Sequence, residues 1–305
     1  MPRLRFFLTV FALALLGRAA AGATDPNDTQ PASVSVSERV LRMTEYFDTM
    51  LPGVLQENNV TLHFTPKFSD LRDRQFVRYP FEVRYGATDK WEISGGLTPF
   101  SPQPLRKGRD HRWGLGEAEL ATRYDLDGSV PFFNDTTIGV ENRVPLGKPP
   151  IDLNDHYTHI KPFVSSARSL HIWPDVTFYL NLSYDRSVQL TERAPPPPEV
   201  VRRNILEVAP GLLYKPDEFG YFVEYRWQRI GDPFGFHFRH EEEFGTIWDV
   251  PLARTAHYGL PGKWQLELAY KLSQEEGVGH DQGLAARVNW RTTLREVLKQ
   301  TAWLR

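Results

Sequence analysis

The side chains best suited to covalent chemistry do not assemble into a recognisable reaction centre. Asp155-His156-x-x-His159 puts a carboxylate and two imidazoles close together in a long loop. Two His three residues apart give half of a zinc set, and spacing supplies no third ligand. His240-Glu241-Glu242-Glu243 lacks the second His of a zinc-protease helix and falls in an alternating segment, so it reads as an exposed or interior charge run. There is no Gly-x-Ser-x-Gly elbow and no Walker loop. Cysteine is absent from all 305 residues, which removes a thiol nucleophile, a disulfide framework and a zinc-thiolate site together. Asn27, Asn59, Asn134 and Asn181 each open an Asn-x-Ser/Thr triplet, but three lie in or beside expected strands or turns and read as incidental. No catalytic residue, metal ion or cofactor is expected.

What remains is a large, mixed set of charges placed at every second residue of apolar segments: Arg78, Arg84, Glu92, Glu117, Glu119, Arg123, Glu141, Arg143, Glu224, Arg226, Glu267, Lys271, Arg287 and Arg291. Their spacing leads to the elements that carry them. Phe219, Tyr221, Val223, Tyr225 and Trp227 share one face, and Gly220, Phe222, Glu224, Arg226 and Gln228 the other, the period of two that a strand requires. The same holds for Val60, Leu62, Phe64, Pro66 and Phe68 against Thr61, His63, Thr65 and Lys67, and for Trp264, Leu266, Leu268, Tyr270 and Leu272 against Lys263, Gln265, Glu267 and Lys271. Ten such segments, with weaker ones at 159–168 and 236–248, predict about twelve strands.

The connections alternate too. Gaps 86–90, 127–131, 170–173 and 215–218 are short and turn-like, while 99–113, 147–158 and 187–203 are long, the last carrying Pro195 to Pro198. Strands with one apolar and one polar face, joined by short turns at one end and long loops at the other, describe an antiparallel transmembrane β-barrel with an even strand number. Gap 250–262 departs from this pattern, being long where a short turn is due. Tyr and Trp near segment ends, such as Tyr79, Tyr85, Trp227 and Trp264, suit the aromatic girdles of a barrel in lipid. A soluble β-sandwich alternates in the same way, with its apolar face inward. In a barrel these alternating charges line the interior, either as a selective channel wall or as a structural charge ladder filling a narrow lumen.

Composition bounds the rest. With 36 basic and 38 acidic residues the net charge is -2 and no block of one sign occurs, so no grip on nucleic acid is expected. Arg3 and Arg5, the apolar run 6–16 and Ala21-Gly22-Ala23 read as a signal peptide over 1–23. No later apolar run reaches spanning length and mean hydropathy is -0.43, so membrane insertion rests on strands. Residues 24–56 form a polar segment followed by an amphipathic helix opened by Ser35-x-x-Glu38, placed in a lumen, on a membrane surface or on the barrel rim. The barrel is expected over 57–294, and 295–305 continues at helical spacing.

Three phrases carry a family resemblance: Phe81-Glu82-Val83-Arg84-Tyr85-Gly86-Ala87-Thr88-Asp89-Lys90-Trp91-Glu92, then Gly116-Glu117-Ala118-Glu119-Leu120-Ala121-Thr122-Arg123-Tyr124, then Val144-Pro145-Leu146-Gly147. Ala209-Pro210-Gly211-Leu212-Leu213-Tyr214 is similar in style. The chain resembles bacterial outer-membrane proteins of the phenol-degradation meta-pathway type. The resemblance implies a single-domain β-barrel in the outer membrane, with a part in uptake or efflux of small, often aromatic or hydrophobic, compounds. It carries over no functional residue. The chain departs from such barrels in continuing past its last strand instead of ending on an aromatic. The expectation is therefore a passive outer-membrane channel or transport-associated protein, with lipid and small solutes as its partners. The alternatives are an exported soluble binding module and an outer-membrane lipid-modifying enzyme.

Overall fold

The computed structural model describes residues 52–69, 76–102, 113–126, 130–146, 155–189, 203–258, 262–277 and 279–295. The expected signal peptide, the Ser35 helix and the segment 296–305 lie outside the described residues.

Alternation does the work the sequence predicts. The first stave of the barrel is β1 (Asn59–Phe64) with β2 (Lys67–Ser69), and the second is β3 (Phe76–Arg78) with β4 (Phe81–Thr88). Both staves break at proline, Pro66 and Pro80, which cannot donate to a ladder. There follow β5 (Trp91–Pro102), β6 (Gly114–Asp125), β7 (Asp135–Pro145), β8 (Thr158–Ser169), β9 (Val176–Val188) and β10 (Asn204–Tyr214). The remainder is β11 (Phe219–Asp232), β12 (Gly235–Val250), the helix α1 (Leu252–His257), β13 (Lys263–Glu275) and β14 (Gly279–Thr293). All pairings are antiparallel, and β1 pairs with both β4 and β14, so the sheet closes on itself as a twelve-stave barrel. The two weaker segments are β8 and β12. Closure leaves no edge with unpaired backbone groups, the condition for crossing hydrocarbon in strands.

Parity then sorts the side chains, against the sandwich alternative. Leu97, Leu120, Ile138, Leu182, Leu206, Phe244 and Leu268 point outward and are exposed, whereas Arg84, Glu92, Arg123, Glu224 and Glu241 point inward and are buried. An apolar exterior around a charged interior is the inverse of a water-soluble fold. Aromatic pairs mark its borders. Phe219 stacks on Trp248 and Trp264 on Trp290 towards the end where the barrel chain begins and finishes, here the terminal end. Tyr225 bonds His240, and Tyr270 bonds Gln282, nearer the opposite, loop end. Trp248 and His240 are eight residues apart on β12, so a tilted strand separates them by ~20 Å along the barrel axis, close to the height of an apolar membrane band.

The expected rule of short terminal-end turns and long opposite loops fails near the C-terminus. β11 and β12 meet through only Pro233 and Phe234 at the loop end, while the terminal-end link between β12 and β13 is long. That link holds α1, which follows Pro251 and sets Arg254 over the Trp248 ring. A proline at a helix start costs nothing, because its missing N–H has no intrahelical partner there. After β14, Leu294 and Arg295 are helical.

Candidate functional site: the barrel lumen

The interior is stratified. Towards the terminal end, Ala167, Tyr179, Leu213, Phe222, Ile247 and Ala269, each inward on one of the six consecutive strands β8 to β13, pack into an apolar floor. Aromatic–glycine pairs shape it. Tyr179 faces Gly211 and Phe222 faces Gly245 in register, and a Cβ at either glycine would collide with the opposing ring. Phe163 stands over Gly139 in the same manner. Side chains on the β4 to β7 wall are smaller at this level, with Gly86, Ala121, Thr137 and Gly139 inward. The chain before β1 fills that side. Val54 and Leu55 are each 1% exposed. The Gly53 N–H donates to Thr137 Oγ1 at 2.7 Å and the Leu55 N–H to Glu92 Oε2 at 2.8 Å.

Next to this layer lies a buried ion triad. Arg84 donates through Nε to Glu92 Oε1 at 2.6 Å, and Arg123 Nε stands 3.8 Å from the same oxygen. Charges this deep persist only when paired and hydrogen-bonded. The Glu92 carboxylate therefore serves Arg84 with one oxygen and the entering backbone with the other.

Towards the loop end a cavity of about 400 Å³ opens between charged walls. Of the fourteen charges singled out by parity, Arg78, Glu117, Glu119, Glu141, Arg143, Arg226, Lys271 and Arg287 line it. Arg84, Glu92 and Arg123 belong to the triad beneath, while Glu224, Glu267 and Arg291 are inward or half-buried outside the cavity. Arg226 is the hub of one wall: Nη2 reaches Glu224 at 2.8 Å and Glu243 at 4.0 Å, Nε lies 3.7 Å from Glu207, and Nη1 bonds Glu241. Lys271 and Arg239 share Glu241 at 2.7 and 3.2 Å. Arg143 bridges Glu141 at 2.9 Å and Asp185 at 2.6 Å, with Glu119 opposite it in register. Arg287 reaches Thr65 at 3.0 Å and stands 3.8 Å from Glu267, which also accepts from Asn289.

Glu82, Lys161, Asp185, Glu207, Arg239, Glu241 and Glu243 also line the cavity and were missing from the sequence-derived set. Parity held the signal, since Asp185 alternates with Tyr184 and Glu207 with Leu206 and Val208. The His-containing runs resolve simply. His159 Nδ1 bonds Asp185 at 2.7 Å and Nε2 bonds Asp155 at 3.0 Å, so carboxylates occupy both nitrogens. Among the described residues no group of three or more His, Cys, Asp or Glu is placed to hold a metal ion. The His240 run is split by the strand, with Glu241 and Glu243 inward and His240 and Glu242 on the outer face. There Tyr225 meets His240 at 2.5 Å, and the register neighbours of His240 are Trp227 and Gln274.

No family model matches the sequence, and no curated protein matches it. Among solved structures, the fold is similar to an outer membrane channel from Pseudomonas putida F1, with TM-score 0.54 and 10% identity over 81% of this chain and 98% of that one. The NanC porin aligns at TM-score 0.47 and 10% identity over 75% of this chain and 98% of the porin. The outer membrane channel DcaP of Acinetobacter baumannii aligns at TM-score 0.34 and 9% identity, over 79% of this chain and all of the other.

Proposed function

We propose that this chain is an outer-membrane channel, exported by its first 23 residues, through which small solutes pass without covalent chemistry or cofactor. The observation that carries the reading is the cavity of about 400 Å³ bounded by interlocked carboxylates, guanidinium groups and lysines inside an apolar shell. Fixed, mutually compensated charges keep a lumen wet without binding one ion tightly, as passage requires. The resemblance to the meta-pathway type adds aromatic compounds as cargo. A wall of this polarity favours those that bear ionised or hydrogen-bonding groups over plain hydrocarbons.

The test is electrical and osmotic. Purified protein in planar bilayers is expected to give discrete conductance steps, and proteoliposomes to swell faster in hydroxylated or carboxylated aromatics than in a disaccharide. Folded barrels that give neither steps nor swelling would overturn the reading.

A further inference from the structure

The apolar floor covers only part of the lumen's cross-section, because its buried side chains come from β8 to β13, with Ala285 of β14 packed against them. The remaining part, beside β4 to β7, is filled by main chain from residues 52–57. Three features show that the wall is shaped for this segment. Gly86 is inward on β4, and a Cβ there would collide with the carbonyl oxygens of Leu55 and Gln56. Glu92, fixed by Arg84, presents its second oxygen to the Leu55 N–H. Thr137, further along the same wall on β7, accepts from the Gly53 N–H. At its other end the segment joins β1 through a tight turn, with Asn58 at φ 63 and its N–H on the Gly86 carbonyl.

The two halves of the floor differ in what can move them. The Tyr179 to Ala269 layer belongs to ladder strands and shifts only if the barrel deforms. Residues 52–57 are outside every ladder and are held along the β4 to β7 wall by a few hydrogen bonds and by the buried Pro52, Val54 and Leu55.

We propose that residues 52–57 are a displaceable strap that closes the terminal end of the lumen, latched by the Glu92 carboxylate and the Thr137 hydroxyl. This rests on the channel reading only for its consequence, since the strap's release opens the solute path. Its attachment can be tested without any current.

The chain has no cysteine, so Val54→Cys gives a single thiol on the strap in the otherwise intact, full-length protein. Reconstituted in liposomes, that thiol is expected to react slowly with a water-soluble maleimide. Adding Thr137→Val, which removes one acceptor and keeps the shape, should speed labelling on the order of fivefold, the factor one ordinary hydrogen bond carries. Glu92→Gln, which takes the counter-charge from Arg84 and loosens the carboxyl that holds the Leu55 N–H, should speed labelling at least as much. In bilayers the Thr137→Val protein should spend correspondingly longer conducting. Equal labelling rates in all three backgrounds, with each barrel folded by heat-modifiable mobility, would overturn the strap even if the protein conducts. Faster labelling in a protein that never conducts would support the strap and count against the channel.

Discussion

Tyr179 and Gly211 lie directly opposite each other on β9 and β10, and the tyrosine ring occupies the space a Cβ on the glycine would need. The pair shows how this barrel narrows. A ring laid across a neighbouring strand at a glycine covers lumen area that two ordinary side chains would leave between them, and Phe222 over Gly245 repeats the device two strands on.

Gly211→Val should therefore expel the Tyr179 ring, and Tyr179→Ala should leave a hole in the floor. Each is expected to lower barrel stability, the second by about 3–5 kcal/mol, as when a large buried aromatic is truncated. The double variant should be more stable than the sum of the two losses implies, because the valine fills space the tyrosine vacates. Urea midpoints in detergent measure all three.

Arg226 is the counter-charge for Glu207, Glu224, Glu241 and Glu243. Removing it as Arg226→Met leaves four carboxylates, with side chains 2–8% exposed, without their shared counter-charge. The expected cost is about 3–5 kcal/mol, the range for breaking a buried pair from one side. Glu224→Gln should cost much less, since three acidic partners of Arg226 remain.

Charge selectivity follows from the cavity wall. Among the described residues that line it, Arg78, Arg143, Lys161, Arg226, Arg239, Lys271 and Arg287 face Glu82, Glu117, Glu119, Glu141, Asp185, Glu207, Glu241 and Glu243, seven basic groups against eight acidic. The channel should thus show a weak cation preference. Glu117→Gln with Glu119→Gln removes two negative charges and should move the zero-current potential under a salt gradient to the anion-preferring side. A shift in the opposite sense would show that solutes do not run past this wall.

The lipid face predicts a different sensitivity. Leu120, halfway along β6 and 65% exposed, lies where a charge would meet hydrocarbon. Leu120→Arg should cost about 2–4 kcal/mol, the penalty for an arginine near the bilayer midplane. The same change at Trp113, beyond the start of β6, should cost little.

Strand number, the inward faces and most of the charged lining were legible in the sequence because period two is local: Glu119, Leu120 and Ala121 declare their sides by position alone. The floor was not legible in that way. Phe222, Tyr179 and Leu213 interrupt polar faces, and nothing in one strand tells that six strands place such residues at one level. Register between strands sets that level. The same limit hid α1, which showed in the sequence only as a gap too long for a turn, and the strap, since no local pattern tells that Gly53 will meet Thr137, 84 residues away.

Neighbouring residues of one strand meet water and lipid in turn, and β6 allows this to be read directly. Glu119→Cys and Leu120→Cys would be compared, in proteoliposomes, for reaction with a charged, water-soluble maleimide and for quenching of an attached bimane by brominated acyl chains. The thiol at 119 is expected to react and to resist quenching, and the thiol at 120 to be inert to the water-soluble reagent and strongly quenched once labelled in detergent. The reverse pattern, or equal reaction with water at both positions, would contradict this alternation.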